Sequence, residues 1–331
     1  MNTTETHEID TVTLGQAGPR VARLALGCMG FGGMYGPVDE AEGVATIQEA
    51  LDAGINLVDT GDFYGMGQSE AIVGRALKGR RDKAVLSVKF GAMRGPDGQW
   101  LGYDARPVAI KNFLAYSLKR LGVEAVDIYR PARLDPAVPL EDVMGTLKDL
   151  VAAGYIKHIG LSELGAARVA EAAAIHPVTD LQIEYSLASR RPEETLFPTL
   201  RRLGVSATLY GVLSRGLLSG SQPAAHGDFR AHLPRFSGDA GRHNREVVAR
   251  FSALAAQHGL RPVDLALGWV LARQPGFVAL VGVKNRTQLA GLRDAVAAPL
   301  APALCDAVER VVAFEGDRYA AEQMRHLDSE R

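Results

Sequence analysis

Short apolar segments alternate with longer amphipathic segments along the chain, and this alternation constrains the fold more than any other feature of the sequence. Apolar runs of strand length that are followed by helix-length segments indicate parallel strands joined by helices. Eight such units are typical of a closed (β/α)8 barrel of the TIM type, an α/β fold. The strands are predicted at residues 21–27, 56–59, 84–89, 126–130, 156–161, 180–184, 205–210 and 277–281.

The remaining segments are predicted to surround or close this barrel. Residues 9–19 are expected to form a β-hairpin that covers the barrel floor, and residues 299–325 an extra C-terminal helix and tail. The whole chain, residues 1–331, is expected to form a single domain. Helices are predicted at residues 39–53, 69–78, 106–121, 141–153, 165–174, 193–203, 244–258, 262–273 and 287–297.

An open, doubly wound parallel sheet is the alternative fold. It requires a glycine-rich phosphate-binding turn after an early strand. The run that contains Gly27, Gly30, Gly32 and Gly33 is the candidate for such a turn, and its spacing does not fit. The closed barrel is therefore favoured.

The overall composition argues against several classes of function. The 331 residues include 37 basic and 38 acidic side chains, so the charge gives no sign of nucleic-acid or membrane binding. No apolar run approaches the roughly 20 residues that span a bilayer, and the polar N-terminus does not resemble a signal peptide. Cys28 and Cys305 lack the spacing of a metal or redox site, and a reducing, cytoplasmic location is expected.

The most informative motif follows the second predicted strand. Asp59 ends that strand, Tyr64 lies in the glycine-rich turn after it, and Ser69 and Glu70 begin a helix. Lys89 ends the third predicted strand. Barrel enzymes keep their catalytic residues at the carboxyl ends of the strands, so the carboxylate, the phenol and the ammonium group are predicted to share one rim.

The pattern Asp-Thr-x-x-x-Tyr-Gly-x-Gly-x-Ser-Glu from Asp59 to Glu70, together with Lys89, resembles the aldo-keto reductase family. The resemblance extends from near the start of the chain to about residue 300. It implies hydride transfer to an aldehyde or ketone, or the reverse oxidation of an alcohol. Tyr64 would be the general acid and base, Lys89 would lower the pKa of its phenol by about 2–3 units, and Asp59 would keep the lysine charged.

The segment from Asp127 to Pro136 departs from the family pattern. Its flanks match, but Ala132 stands where the family has a histidine that donates a hydrogen bond to the substrate carbonyl. Loss of such a donor costs about 2.7–4 kcal/mol in the transition state. A water molecule, Arg130 or Arg133 would supply the donor, or the extra space would admit a bulkier substrate, or the protein would be a weak reductase. We favour the first two together, an active enzyme with an enlarged pocket.

The resemblance also implies a site for NADPH. Ser162 and Gln182 would hold the nicotinamide carboxamide and Tyr210 would stack on the ring, although Glu163 replaces the family's asparagine. The turn after the seventh strand would bind the pyrophosphate, through Gly211, Val212, Leu213, Arg215, Gly216 and Leu218. The segment after the eighth strand would bind the 2′-phosphate and so favour NADPH over NADH, through Gly282, Lys284, Arg286 and Gln288.

The substrate pocket is predicted from residues that follow the strands. The candidates are Met29, Phe31, Tyr35, Trp100, Tyr103, Ala132 and Arg133. The longest irregular segment, residues 219–243, is expected to fold over the phosphate-bearing cofactor. Its three histidines match no metal motif, and no metal is expected; they are His226, His232 and His243.

The sequence therefore predicts an NADPH-dependent aldo-keto reductase that acts on a carbonyl or alcohol substrate of the small-molecule class. The alternative, from another functional class, is a dinucleotide-binding sensor or regulatory subunit with weak reductase activity. The missing histidine favours this alternative, and the intact Asp59, Tyr64 and Lys89 oppose it. The sequence carries no signal for an oligomeric state.

Overall fold

The computed structural model describes residues 9–221, 223, 228–296, 300–325 and 327–330, in which eight parallel strands close into a barrel. The strands in chain order are β1 (Thr11–Thr13), β2 (Arg20–Ala22), β3 (Leu24–Gly27), β4 (Leu57–Gly61), β5 (Val85–Phe90), β6 (Ala92–Arg94), β7 (Trp100–Tyr103), β8 (Val126–Pro131), β9 (Ile156–Ser162), β10 (Val178–Glu184), β11 (Ser206–Tyr210) and β12 (Val278–Gly282). The order around the barrel is β3, β4, β5, β8, β9, β10, β11 and β12, and β12 pairs with β3 to close it. The predicted TIM barrel is confirmed.

Helices follow the barrel strands and form the outer layer. The α-helices are α1 (Glu40–Asp52), α2 (Gln68–Leu77), α3 (Pro107–Leu121), α4 (Leu140–Ala152), α5 (Ala166–Ile175), α6 (Leu196–Leu203), α7 (Gly238–Gln257), α8 (Pro262–Arg273), α9 (Arg286–Ala295), α10 (Pro302–Val311) and α11 (Ala321–Arg325). Short 3-10 helices cover Met29–Gly32, Arg81–Lys83, Arg191–Glu193, Ser214–Ser219, Phe229–His232, Pro234–Phe236 and Asp328–Glu330. Within the described ranges, no helix is long and apolar enough to cross a membrane.

Local sequence signals set the ends of these helices. The Asp39 side chain caps α1 by accepting hydrogen bonds from the backbone N–H groups of Ala41 and Glu42. Pro107 begins α3, and Gly122 ends it in the left-handed conformation, with φ 66°. Signals of this kind explain why the predicted helices agree with the structure to within a few residues at most ends.

Two segments near the start of the barrel differ from the prediction. The first predicted strand, 21–27, is divided at Arg23, because β2 belongs to the N-terminal hairpin and β3 belongs to the barrel. The glycine-rich segment 91–104, in which no strand was predicted, contains an antiparallel hairpin, β6–β7. Gly98, with φ 81°, provides the left-handed residue that the turn of this hairpin requires.

Two later segments also differ. The segment 219–243 contains two short 3-10 helices, and α7 begins at Gly238, six residues before its predicted start. His226 lies outside the described residues. The predicted helix and tail at 299–325 are confirmed as two helices, α10 and α11, separated by an extended stretch at 312–315 and two bends.

The N-terminal hairpin closes one end of the barrel. Strands β1 and β2 pair antiparallel, and Leu14 in the turn is fully buried against Val21, Leu57 and Ile128. Gly15 lies so close to β10 that a Cβ atom there would be 2.6 Å from a backbone oxygen. The hairpin therefore covers the amino-terminal ends of the strands, as predicted, although its second strand lies beyond residue 19.

The other half of the barrel interior is polar. Arg130 on β8 is 0% exposed and donates hydrogen bonds to both carboxylate oxygens of Asp180, at 3.0 and 3.2 Å. Its guanidinium also donates to Ser87 Oγ, at 3.1 Å, and to the Leu161 carbonyl, at 3.2 Å. A buried charge requires such partners, so these contacts hold four barrel strands together through their side chains.

Removing the positive partner of this pair is expected to destabilise the fold strongly. Arg130→Met leaves the Asp180 carboxylate buried without its ion pair, and we expect a loss of about 3–5 kcal/mol in the free energy of unfolding. The control is Arg168→Met, which breaks the pair with Glu171 on the surface of α5 and is expected to cost less than about 1 kcal/mol. Urea unfolding followed by circular dichroism measures both losses, and equal losses would contradict the interpretation.

Candidate active site

Asp59 and Lys89 meet at the carboxyl ends of β4 and β5. The register of these strands sets Asp59 opposite Ser87 and Gly61 opposite Lys89, and the Lys89 ammonium group donates a hydrogen bond to Asp59 Oδ1. Asp59 Oδ2 accepts from Ser87 Oγ at 2.8 Å and from Gln182 Nε2 at 2.9 Å. The carboxylate is therefore fully engaged, and it holds the lysine side chain at the mouth of the barrel.

Tyr64 lies beside this pair because the turn that carries it is packed tightly. Gly65 has φ 61°, and a Cβ atom there would lie 2.6 Å from the Gly32 carbonyl oxygen, so the turn touches the 3-10 helix after β3. The hydroxyl groups of Thr60 and Ser69 lie 2.9 Å apart across the turn. Tyr64 is 6% exposed, and Lys89 Nζ lies 5.4 Å from the centre of its ring. The structure thus brings the three predicted catalytic side chains together.

The protonation of this group differs from the sequence prediction. Burial raises the pKa of Tyr64 well above its ordinary value, and the Asp59 carboxylate raises it further. Burial also lowers the pKa of Lys89, against the opposing effect of Asp59. The predicted lowering of the phenol pKa by 2–3 units is therefore wrong for this arrangement, because the loss of solvation of a phenolate dominates. Tyr64 is a protonated phenol at neutral pH, as a proton donor must be.

Of the two arginines considered as replacements for the histidine, only Arg133 lies at the site. Arg130 is committed to Asp180 inside the barrel, so the prediction that it reaches a substrate is wrong. Ala132 is 4% exposed and offers no side-chain donor. Arg133 Nη1 donates to the Ala132 carbonyl at 2.7 Å and lies 3.5 Å from Ser162 Oγ.

The predicted nicotinamide-binding residues occupy adjacent strand ends. Ser162 on β9 is in register with Gln182 on β10, and both side chains are buried. Gln182 directs its amide nitrogen to Asp59. Tyr210 ends β11, where its hydroxyl group donates to Glu163 Oε1 at 2.8 Å. These residues share the predicted rim, but Gln182 and Tyr210 are engaged with acidic neighbours.

The predicted pyrophosphate turn has a strained backbone. Ser214, Arg215 and Gly216 have φ 47°, 58° and 92°, and such left-handed conformations at non-glycine residues cluster at functional sites. Arg215 donates to Glu184 at 3.2 Å and lies over a tyrosine ring. The remaining predicted residues of the turn are Gly211, Val212, Leu213 and Leu218. The side chains of Val212 and Leu218 are buried in the core, so these two would contribute backbone groups only.

The predicted 2′-phosphate segment is exposed and begins where β12 pairs with β3. Gly282 pairs with Gly27 at the end of these strands. Lys284 Nζ donates to the Tyr35 carbonyl, and its backbone N–H donates to Gln288 Oε1 at 2.8 Å. Arg286 forms a surface ion pair with Glu42 of α1, at 3.0 Å. Lys284 therefore contacts the segment between β3 and α1, and Arg286 contacts α1 itself.

The predicted pocket residues fall into different environments. Phe31 is buried in the core against the outer helices, so the prediction that it lines the pocket is wrong. Met29 and Tyr35 are partly buried in the segment after β3. Trp100 is 47% exposed on the hairpin, with its ring 4.9 Å from that of Tyr103.

A C-terminal ion pair at the barrel mouth was missed by the sequence analysis. Arg318 donates to Glu163 at 3.1 Å and lies 3.6 Å from Glu184. Ser329 Oγ donates to Glu163 Oε2 at 3.0 Å. Burial would raise the pKa of Glu163, but the charges of Arg318 and Arg133 outweigh it and lower the pKa to about 2. The departure from asparagine at residue 163 was the one signal that pointed to this contact.

No group of three or more histidine, cysteine, aspartate or glutamate residues that could hold a metal ion is found in the described part of the chain. The arrangement as described offers proton transfer and anion binding through its phenol, ammonium and guanidinium groups. Arginines from three segments converge on the mouth of the barrel; they are Arg133, Arg215, Arg235 and Arg318.

Asp62, two residues before Tyr64, titrates abnormally. Its Oδ2 accepts from the Gly91 N–H at 3.3 Å, while its buried Oδ1 has no partner among the described residues. Burial raises the pKa of this carboxyl to about 7, and the Glu70 charge adds to the effect. The folded protein therefore holds a proton that the unfolded chain has released, and stability is lost as the pH rises from about 4 to about 7.

Asp62→Asn is expected to remove this pH dependence. The gain in unfolding free energy over the wild type should be larger at pH 8 than at pH 4 by about 2–4 kcal/mol. Chemical unfolding at the two pH values measures it, with Asp97→Asn in the exposed turn of the β6–β7 hairpin as the control. An identical gain at both pH values would show that folding does not raise the pKa of Asp62.

Comparison with known proteins agrees with this geometry. The profile of the Aldo/keto reductase family matches residues 23–313. The probable aldo-keto reductase 1 of Glycine max is 38% identical over 295 residues, 86% of this chain and 84% of that protein. The Schizosaccharomyces pombe aldo-keto reductase yakc, whose name specifies NADP(+), is 36% identical over 274 residues, 80% of this chain and 81% of that protein.

Solved structures show the same fold over nearly the whole chain. The glycerol dehydrogenase AKR11B4 from Gluconobacter oxydans has a TM-score of 0.83 at 29% identity, with 96% of each chain covered. The holo form of the aldo-keto reductase AKR11C1 from Bacillus halodurans has a TM-score of 0.78 at 26% identity, with 93% of this chain and 98% of that one covered. The chain belongs to the aldo-keto reductase family.

Proposed function

We propose that this aldo-keto reductase transfers hydride reversibly between NADPH and an aldehyde or ketone, with Tyr64 as the proton donor. The observation that carries the proposal is the buried contact of Asp59, Lys89 and Tyr64 at the carboxyl ends of the barrel strands. For any one of these residues a structural role would suffice. Their convergence on one rim supports a catalytic role.

The protein residues would handle the proton. A bound reduced nicotinamide would supply the hydride. The buried, protonated phenol of Tyr64 would give its proton to the carbonyl oxygen as negative charge develops there. As that charge moves to Tyr64, the Lys89 ammonium group would stabilise the phenolate that remains, and Asp59 would keep that lysine oriented.

The residues present fit a dinucleotide. The left-handed turn at Ser214–Gly216 presents a strained backbone beside Arg215, the kind of segment that binds pyrophosphate. Lys284 and Arg286 stand at the start of α9 and would bind a 2′-phosphate. Arg286 would give up its ion pair with Glu42 in exchange for the phosphate. That ion pair is exposed on the surface and is therefore weak. The NADP(+) in the name of the yeast relative supports the same preference.

The alternative function is a dinucleotide-binding sensor with weak reductase activity. Ala132 is the observation that favours it, because the family's substrate-polarising donor is absent at that position. The two functions differ in turnover and not in cofactor binding.

Tyr64→Phe is expected to lower turnover by about 10²–10⁴-fold, because general acid catalysis contributes about that factor. NADPH consumption would be followed with small aldehydes, bulky ketones and pyridoxal, and NADH would test the cofactor preference. Tyr116→Phe on the exposed face of α3 is the matched control and should leave the rates unchanged. Tight NADPH binding without turnover of any carbonyl by the wild type would instead support the sensor.

Ala132→His tests the effect of the missing donor. We expect kcat/KM for small aldehydes to rise at least about 10-fold, since such a donor is worth about 2.7–4 kcal/mol. The rate with bulky ketones should fall, because the imidazole would fill the space that Ala132 leaves. Ala137→His, at an exposed position of the same segment, is the control. A rise with both substrate classes would contradict the enlarged pocket.

A further inference from the structure

Arg133 differs from the other arginines at the mouth of the barrel in its partners. Arg318 is paired with Glu163, and Arg215 and Arg235 are paired with Glu184. In the part of the chain that the structure describes, Arg133 contacts no carboxylate within hydrogen-bonding distance; its Nη1 donates to one carbonyl and lies 3.5 Å from Ser162 Oγ. Its Nε is buried without a hydrogen-bond partner.

The carboxylate nearest in charge is already satisfied by other groups. Glu163 accepts hydrogen bonds from Arg318, Tyr210, Ser329 and the Glu184 backbone N–H. The charge of Arg133 helps to lower the pKa of Glu163, but no hydrogen bond joins the two side chains. A guanidinium group in a largely desolvated site is stabilised when a carboxylate or another anionic oxygen meets its planar fork of N–H donors. Arg133 therefore has donor capacity that the described protein residues do not use.

This donor capacity lies beside the proposed catalytic group, because Arg133 Nη1 lies 3.5 Å from Ser162 Oγ, Ser162 is in register with Gln182, and Gln182 donates to Asp59. The charge of Arg133 lowers the pKa of both Tyr64 and Tyr103, against the larger effect of burial, so the guanidinium lies close enough to influence both phenols. The family's histidine is replaced by Ala132, the residue directly before Arg133, and its methyl group offers no competing donor. Of these two residues, Arg133 alone has a side-chain donor. A second substrate oxygen beside the carbonyl that Tyr64 protonates would therefore be bound by Arg133.

We propose that Arg133 binds an anionic oxygen next to the reacting carbonyl, so that the preferred substrates are α-keto acids and aromatic aldehydes with an ionisable hydroxyl group in the ortho position. The proposal rests on the proposed function and names its substrate class. Both substrate types share one chemistry, a carbonyl oxygen and a second, acidic oxygen on the same edge of the molecule. Charge-assisted, forked hydrogen bonds to this pair would orient the carbonyl toward Tyr64.

The reaction balances without a proton from Arg133. The hydride adds to the carbonyl carbon, the π electron pair of the C=O bond moves to its oxygen, and that oxygen takes the Tyr64 proton. The cofactor leaves as NADP+, and the substrate leaves as the alcohol. Arginine keeps all its protons, because its guanidinium is charged at every pH of interest.

Matched pairs of substrates test the preference with wild-type enzyme and NADPH. Phenylglyoxylate is compared with its methyl ester, and 2-hydroxybenzaldehyde with 2-methoxybenzaldehyde, so each pair differs in the acidic oxygen alone. We expect kcat/KM to be about 10- to 100-fold higher for the member with the acidic oxygen, as a charge-assisted hydrogen bond supplies about that factor. The two pairs separate a carboxylate from a phenolate as the better ligand.

Arg133→Gln is expected to abolish this preference, so that kcat/KM for the member with the acidic oxygen falls to that of its neutral partner, whatever the change in the rate with benzaldehyde. Arg133→Lys keeps the charge but loses the fork, and it should restore the preference only in part. Arg106→Gln is the control, because Arg106 is an exposed arginine on the same side of the barrel that pairs with Asp104. A preference that persists in Arg133→Gln, or a wild-type preference for the neutral members, would overturn the inference while leaving the proposed reductase function intact.

A binding measurement covers the case in which no carbonyl is reduced. Calorimetric titration of 2-hydroxybenzoate into the protein with NADP+ should show binding that weakens about 10-fold or more in Arg133→Gln. Such a result without turnover would retain the anion site and reject the reductase function. Absence of binding to the wild type, together with absence of turnover, would reject both.

Discussion

A continuous line of buried polar contacts inside the barrel is the constraint on which the rest of the site depends. It runs from Asp180 through Arg130 and Ser87 to Asp59 and Lys89, and each group is satisfied by the next. Buried charges are stable only with such partners. The polar interior of the barrel and Lys89 are therefore one unit, since the Asp59 carboxylate that orients the lysine is itself held by Ser87 and Gln182.

The sequence predicts the barrel and the catalytic group because both have local signatures. Strand periodicity locates the eight strands, and the parallel register then brings Asp59 and Lys89 to one rim. The same periodicity held a signal that was not used: Ile128 faces the barrel interior, so strand alternation also directs Arg130 inward. The actual protonation of Tyr64 was not predictable, because it depends on how completely the folded protein excludes water from the phenol.

Contacts between distant segments have no such signature. Glu163 and Arg318 are separated by 155 residues, and neither the helix signals nor the charge pattern of the C-terminal region relates them. Glu163 itself was noticed only as a departure from a family residue. Its role as the anchor of the C-terminal segment follows from the three-dimensional structure, in which Arg318, Ser329 and Tyr210 converge on one carboxylate. Because these groups satisfy Glu163, Arg133 forms no ion pair with a carboxylate among the residues that the structure describes.

The long separation of Glu163 from Arg318 also sets the order in which the protein is assembled on the ribosome. All eight barrel strands have been synthesised once Gly282 is added, before either Arg318 or Ser329 exists. Until then the Glu163 carboxylate lacks the ion pair with Arg318 and the hydrogen bond from Ser329. The side of the site next to Glu163 is therefore completed by a segment that is synthesised after every barrel strand.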